Sequence, residues 1–266
     1  MKTRLISVAC MLPVVVFLFL GKAWLWAACL IIAGACLYEF FNALGKIHVM
    51  VSMPIALALF ISYYAIVLGC IIIAKSWELY EALFDAWLFA LVLISLILIL
   101  FDLNHQILGP TYCIVGMLYI GWSIAHLVLI EQKYHALAWL PVVIACFADI
   151  GGYLGGMAFG KHKMAPVLSP KKTIEGSIVG IIFGTASSIA FCALFFKGHF
   201  ASSLIMGILG SVIAECGDLI ASTFKRKTGI KDYSNLIPGH GGVFDRMDSI
   251  CMVAPFVYYY FTLFIE

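Results

Sequence analysis

The chain has 266 residues, of which 64% are hydrophobic and 11% charged, with a formal net charge of +2. A mean hydropathy of +1.08 excludes an ordinary soluble domain. The apolar runs are continuous rather than alternating, which excludes a β-barrel and leaves an all-α, polytopic integral membrane protein.

In chain order, apolar runs lie at about 5–20, 22–38, 51–73, 86–101, 110–130, 138–158, 174–196, 200–224 and 249–265. They predict about nine transmembrane helices, since crossing a hydrocarbon core takes about 20 apolar residues. The first run follows Lys2 and Arg4 and has the layout of a signal peptide. A second run begins at Gly21–Lys22 and no polar domain follows, so we read the first run as a membrane helix. The two make either a hairpin or two full crossings. We divide the chain into 1–137, membrane helices with little charge, and 138–266, helices that carry the site. The nine cysteines form no CxxC pair and read as small buried hydrophobes.

Charge is concentrated in two loops. Residues 160–173 carry Lys161, Lys163, Lys171 and Lys172 without an acid; residues 225–248 carry Lys225, Arg226, Lys227, Lys231 and Arg246. Two spans separate these loops, so they share a side, and the positive-inside bias makes that side cytoplasmic. Glu78, Glu81 and Asp85 in the 74–85 loop suit the opposite side.

Four carboxylates lie inside or at the edge of apolar runs: Asp149, Glu175, Glu215 and Asp218. A charge in a membrane is expensive and marks a functional site, an internal ion pair or a neutral hydrogen-bonded acid. Glu215, Asp218, Ser222 and Lys225 share one helix face. Asp245 and Asp248 repeat the spacing of three at the start of the last span. Carboxylates converging at one membrane face predict a site for a hard divalent cation, which takes oxygen ligands and completes its shell with phosphate and water. In LSPKKTIEG (168–176), Ser169 fits a helix N-cap and Pro170 the first helical position. That puts Lys171 and Lys172 in a first turn, where a bound anion would explain them; solvent-facing lysines are the plainer reading. Gly239, Gly241 and Gly242 permit close backbone approach to a ligand and an anion nest. His240 either donates to a phosphate or packs in the turn. GGMAFGKH (155–162) has P-loop spacing, but His162 replaces Ser or Thr and no strand precedes it. Small-residue helix packing explains Gly151, Gly152, Gly155, Gly156, Gly176, Gly180 and Gly184 better.

Carboxylates for a metal, cations for phosphates and a glycine turn make a phosphoryl- or nucleotidyl-transfer site between a soluble nucleotide and a lipid. The run STFKRKTGIKDYSNLIPGHGGVFDRMD (222–248) resembles the signature of the phosphatidate cytidylyltransferases, also called CDP-diacylglycerol synthases. The likeness runs through Ser222, Lys225, Arg226, Lys231, Asp232, Pro238, His240, Gly241, Gly242, Asp245, Arg246 and Asp248. SPKKTIEG and the stretch Asp149–Tyr153 are similar to that family too, so the resemblance covers roughly 149–248. It implies that CTP and phosphatidic acid give CDP-diacylglycerol and pyrophosphate with Mg²⁺, and a monovalent cation such as K⁺ is also known in the family. It implies metal-binding carboxylates at Asp218 and Asp245, with Asp248 next, and a homodimer in a bacterial inner membrane with its site facing the cytoplasm. Under this reading Lys171, Lys172, Lys225 and Arg226 hold phosphates. Arg246 stabilises the departing pyrophosphate, and Ser222, Lys231, Asp232, His240, Gly241 and Gly242 line the substrates. No nucleic-acid partner is expected. The alternatives are a CTP-dependent lipid kinase, an isoprenoid-lipid cytidylyltransferase and, from another class, a transporter. A transporter would carry polar residues at mid-membrane in several spans, whereas here the charge gathers at one rim.

Overall fold

The structure, a computed structural model, describes residues 22–101, 107–236 and 241–265. The apolar run at 5–20 and His240 lie outside the described residues. Helix α1 spans Lys22–Gly45. Helix α2 spans Met53–Ile66 and continues as a π-helical turn over Val67–Ile73. Helix α3 is Trp77–Phe101. Helix α4, Leu108–Gly116, passes through a second π-helical turn, Met117–Trp122, into α5, Ser123–Tyr134. A 3₁₀ segment, His135–Trp139, leads to α6, Leu140–Phe159. A hairpin of β1, Lys163–Ala165, and β2, Ser169–Thr173, precedes α7, Ile174–Phe195. Then come α8, Phe200–Lys227, and α9, Phe244–Phe264.

Among the described residues, seven helical stretches are long and apolar enough to cross a membrane. One of them, Leu108–Phe159, runs 52 residues and contains both of the runs read from sequence at 110–130 and 138–158. His135 interrupts it with a φ of 52°, in the left-handed region that non-glycine residues seldom adopt. The all-α membrane architecture stands. Phe89, Leu96 and Leu100 of α3 are largely exposed, an apolar face that water would not tolerate and lipid would.

Two local expectations change. α3 begins at Trp77, so Glu78, Glu81 and Asp85 belong to its first turns rather than to a loop. Ser76 Oγ accepts the Leu79 N–H at 3.3 Å and caps it, and Glu78 suits the positive end of the helix dipole. The second change bears on the site. Ser169 and Pro170 do not start a helix; they lie in β2, which pairs antiparallel to β1 with Lys163 opposite Thr173 and Ala165 opposite Ser169. The cap is Thr173, whose Oγ1 accepts the Gly176 N–H at 3.1 Å. Lys171 and Lys172 therefore sit on a strand, and the dipole at the head of α7 does not act on them as in a first turn. Glu175 occupies that first turn instead.

The chain divides into two compact units, one within Met1–Gln132 and Thr228–Asp245, the other within Lys133–Lys227 and Arg246–Glu266. The first has an aromatic core: Tyr63 and Trp87 rings stand 4.8 Å apart, and the Trp87 indole donates to the Leu59 carbonyl at 3.0 Å. The second is built on glycines. A Cβ at Gly151 would meet Phe183 Cβ at 2.6 Å, one at Gly155 would meet Val179 Cβ at 2.5 Å, and one at Gly176 would meet the Gly152 carbonyl at 2.7 Å. This is the small-residue seam expected between α6 and α7. Gly155 and Gly156 are thus helix-packing residues, not a phosphate loop.

Candidate active site

In the second unit, α6, β2, α7 and α8 enclose a cavity of about 370 Å³ whose wall includes Asp149, Tyr153, Lys171, Lys172, Glu215 and Asp218. Each element delivers its charge for a local reason. Glu215 and Asp218 follow each other at the i, i+3 spacing on α8. Lys171 and Lys172 are brought to them by β2, whose end is fixed where Thr173 starts α7. Glu175 secures the other side of the hairpin, accepting the Lys161 N–H at 3.0 Å and facing His162 Nδ1 at 2.6 Å. Arg226, at the end of α8, donates through Nε to the Leu168 carbonyl in the hairpin turn at 3.2 Å.

The central contact is an ion pair. Lys172 Nζ lies 2.6 Å from Asp218 Oδ2, and Ser222 Oγ stands 3.4 Å from the other oxygen, Oδ1. Burial alone would lower the pKa of the Lys172 ammonium, but Asp218 outweighs it, helped by Asp149 and Glu215, and the group is held above its ordinary value. Glu215 reaches the cavity because Gly180 leaves room for it: a Cβ there would lie 3.2 Å from Glu215 Oε1 and 2.8 Å from the Ala148 carbonyl. The glycine seam thus also makes a notch for a carboxylate. Asp248 is buried, within electrostatic reach of Asp218, Lys225 and Asp149. Arg246 is exposed and acts on Asp149.

The remaining predicted residues lie in the first unit. Asp245 Oδ2 accepts the N–H of Tyr233 and of Gly242, each at 2.9 Å. Gly241 adopts a φ of +83°, and a Cβ on it would stand 2.9 Å from Asp245 Oδ2. Lys231 and Asp232 are exposed on the loop that follows α8. Of the three glycines read as an anion nest, Gly239 lies outside the described residues, and the Gly242 N–H is taken by Asp245, while the next two N–H groups, of Val243 and Phe244, are taken by Glu39. Glu39 and Asp149 carried no assigned role in the sequence. A lone acid in an apolar span was the available signal for each.

Whether a divalent cation suits the cavity turns on its donor chemistry. Three acids, Asp149, Glu215 and Asp218, face it with Lys171 and Lys172, and their oxygens are the hard donors that Mg²⁺ takes. Among the described residues no three His, Cys, Asp or Glu side chains come together around one point. The residues fit an ion held by one or two carboxylates and completed by substrate phosphate and water.

A profile described as the cytidylyltransferase family matches residues 2–264. A phosphatidate cytidylyltransferase of Haemophilus influenzae is 41% identical over 140 residues, covering 49% of this chain and 48% of that protein. This chain therefore aligns with about half the length of that relative. One of Staphylococcus saprophyticus is 32% identical over 196 residues, 71% of this chain and 74% of that protein. One of Rickettsia bellii is 35% identical over 182 residues, 65% of this chain and 78% of that protein.

Proposed function

The chain belongs to the cytidylyltransferase family, which makes it a nucleotidyltransferase of the membrane, and from that premise we propose that it joins CTP to phosphatidic acid. A phosphate oxygen of the lipid forms a bond to the α-phosphorus of CTP. The bond from that phosphorus to the bridging oxygen breaks, and CDP-diacylglycerol and pyrophosphate result. The observation that carries this reading is the Lys172–Asp218 pair at the wall of an acid- and lysine-lined cavity.

The attacking phosphate is already anionic near neutral pH, so no strong base is required, and positioning and electrostatics lower the barrier. Lys171 and Lys172 hold phosphate oxygens in the cavity. Lys225 balances the buried Asp248, and Arg246 receives the departing pyrophosphate. Ser222 steadies Asp218. On the family resemblance, Lys231, Asp232, His240, Gly241 and Gly242 of the signature run are substrate-binding residues. On the cavity wall, Asp218 is the carboxylate that would hold Mg²⁺, which when bound would offset charge developing on the phosphoryl oxygens; Asp245 and Asp248 join it as metal carboxylates on the family resemblance alone. A K⁺ ion beside it belongs to the same proposal, on the family resemblance. Asp218 Oδ2, which Lys172 contacts, is the oxygen that would also serve a bound cation.

The concentration of Lys and Arg in the 160–173 and 225–248 segments supports a cytoplasmic orientation. The relatives named phosphatidate cytidylyltransferase support a part in phospholipid synthesis, and the membrane proposed for it is a bacterial cytoplasmic (inner) membrane. A homodimer rests on the family resemblance.

The test is product analysis with purified protein in detergent, given phosphatidic acid, labelled CTP and Mg²⁺. Labelled CDP-diacylglycerol, abolished by EDTA and reduced about 10²-fold or more in Asp218→Asn, is the expected result. Labelled CDP with a phosphorylated lipid would instead make it a lipid kinase.

A further inference from the structure

Glu39 is the one acidic residue of α1 and is only 4% exposed. Both of its oxygens are occupied by a segment far along the chain. Oε1 accepts Ser234 Oγ at 2.5 Å and the Val243 N–H at 3.0 Å; Oε2 accepts the Phe244 N–H at 2.9 Å. Phe40, the next residue, stands edge-on to Phe244 with ring centroids 6.0 Å apart and planes at 81°.

This contact answers a local deficiency. The first N–H groups of a helix have no partner within it. The residue ahead of α9 is Val243, whose side chain has no acceptor and is among the poorest N-caps. Glu39 supplies the acceptor from another helix, and its negative charge suits that end of the dipole. Gly242 is what lets it in: a Cβ there would stand 2.8 Å from both Cδ and Oε1 of Glu39. One residue on, Asp245 folds back onto Tyr233 and Gly242. Two carboxylates therefore wind the signature loop, one from each side of Gly242 and Val243.

We propose that Glu39 is a positioning residue for cytidylyl transfer. It touches no substrate; it fixes where α9 begins and so where Asp245 points. The inference rests on the function proposed above. A buried acid could instead serve folding alone, and the two roles separate in kinetics. Misplacing Asp245 slows the chemical step of a folded enzyme, whereas a folding role lowers only the yield or the melting temperature.

Glu39→Gln keeps the side-chain volume but sets an amide N–H against the Phe244 N–H. Glu39→Asp keeps the charge on a shorter stem. In folded, purified protein, Glu39→Gln is expected to lower kcat about 10- to 100-fold, the range for hydrogen bonds to a charged group. KM for CTP and for phosphatidic acid should change by less than about threefold, and Glu39→Asp should recover part of the loss. Amide exchange at Val243 and Phe244 should quicken in Glu39→Gln. Unchanged kcat per folded molecule, a loss confined to KM, or unchanged exchange at both amides would overturn the proposal. Should Glu39→Gln not fold, Ser234→Ala removes one of the three bonds and is expected to lower kcat by about threefold to tenfold; an unaltered kcat there is equally fatal. Wild type is assayed alongside. If it forms no CDP-diacylglycerol, the functional reading fails by itself, while the exchange data still decide whether Glu39 holds the start of α9.

Discussion

Lys172 of β2 meets Asp218 of α8 with 2.6 Å between Nζ and Oδ2, both side chains about three-quarters buried. The pair neutralises part of a wall that Asp149 and Glu215 also make acidic. Lys172→Ala is expected to lower kcat about 10²-fold, the usual effect of deleting one preorganised donor at a site of developing charge. Lys171→Ala, which removes an exposed lysine from the same cavity, should raise KM for CTP more than it lowers kcat. Steady-state kinetics on both variants check this.

The same ion pair predicts a pH dependence of stability. The Lys172 ammonium is held above its ordinary value of 10.5, against burial and chiefly by Asp218. A cationic group whose pKa rises on folding stabilises fully below its ordinary pKa and loses that contribution as pH climbs through the folded value. In buffer without divalent cations, the melting-temperature difference between wild type and Lys172→Met should hold steady near neutral pH. It should shrink only above pH 10.5. A difference that shrinks instead between neutral pH and that value would contradict the assignment.

Gly180 is a place where one methyl group decides two things. A Cβ would press on the Ala148 carbonyl at 2.8 Å and on Glu215 Oε1 at 3.2 Å. Gly180→Ala is expected to destabilise the protein by about 1–3 kcal/mol through overpacking and to reduce turnover by moving Glu215. Gly229→Ala lies where a Cβ meets nothing within 4 Å, but at a φ of +70°; it should lose stability through backbone strain alone. Thermal unfolding and turnover, measured together, separate the two cases.

Thr173 ends β2 and caps α7 through the Gly176 N–H. Thr173→Ala should cost about 1 kcal/mol, and Thr173→Ser, which keeps the hydroxyl, only a fraction of that. Because Lys172 is its neighbour, the alanine variant should also lose activity at temperatures well below its melting point. Chemical denaturation with parallel assays tests this.

The order of the membrane helices, the glycine seam of α6 and α7, and the acids at 149, 215 and 218 were all legible in the sequence. Those features depend on short-range patterns: runs of about 20 apolar residues, glycines four apart, and charges where lipid makes them expensive. Ser169-Pro170 misled because it satisfies the rule for a helix start as well as Thr173 does. What separates them is the pairing of β2 with Lys163–Ala165 and the grip of Arg226 on the hairpin turn.

By itself the sequence determined that this is a helical membrane protein whose Lys and Arg are concentrated in residues 160–173 and 225–248. Its signature run also pointed to the family to which the chain belongs. Only the tertiary structure decided which partner each charge takes. Lys172 lies on Asp218, Glu215 in the notch at Gly180, and Glu39 on the start of α9. A carboxylate in an apolar span advertises that it must have a partner, because an unpaired charge there is too costly. The identity of that partner is a contact between segments distant in sequence, set by how the helices pack.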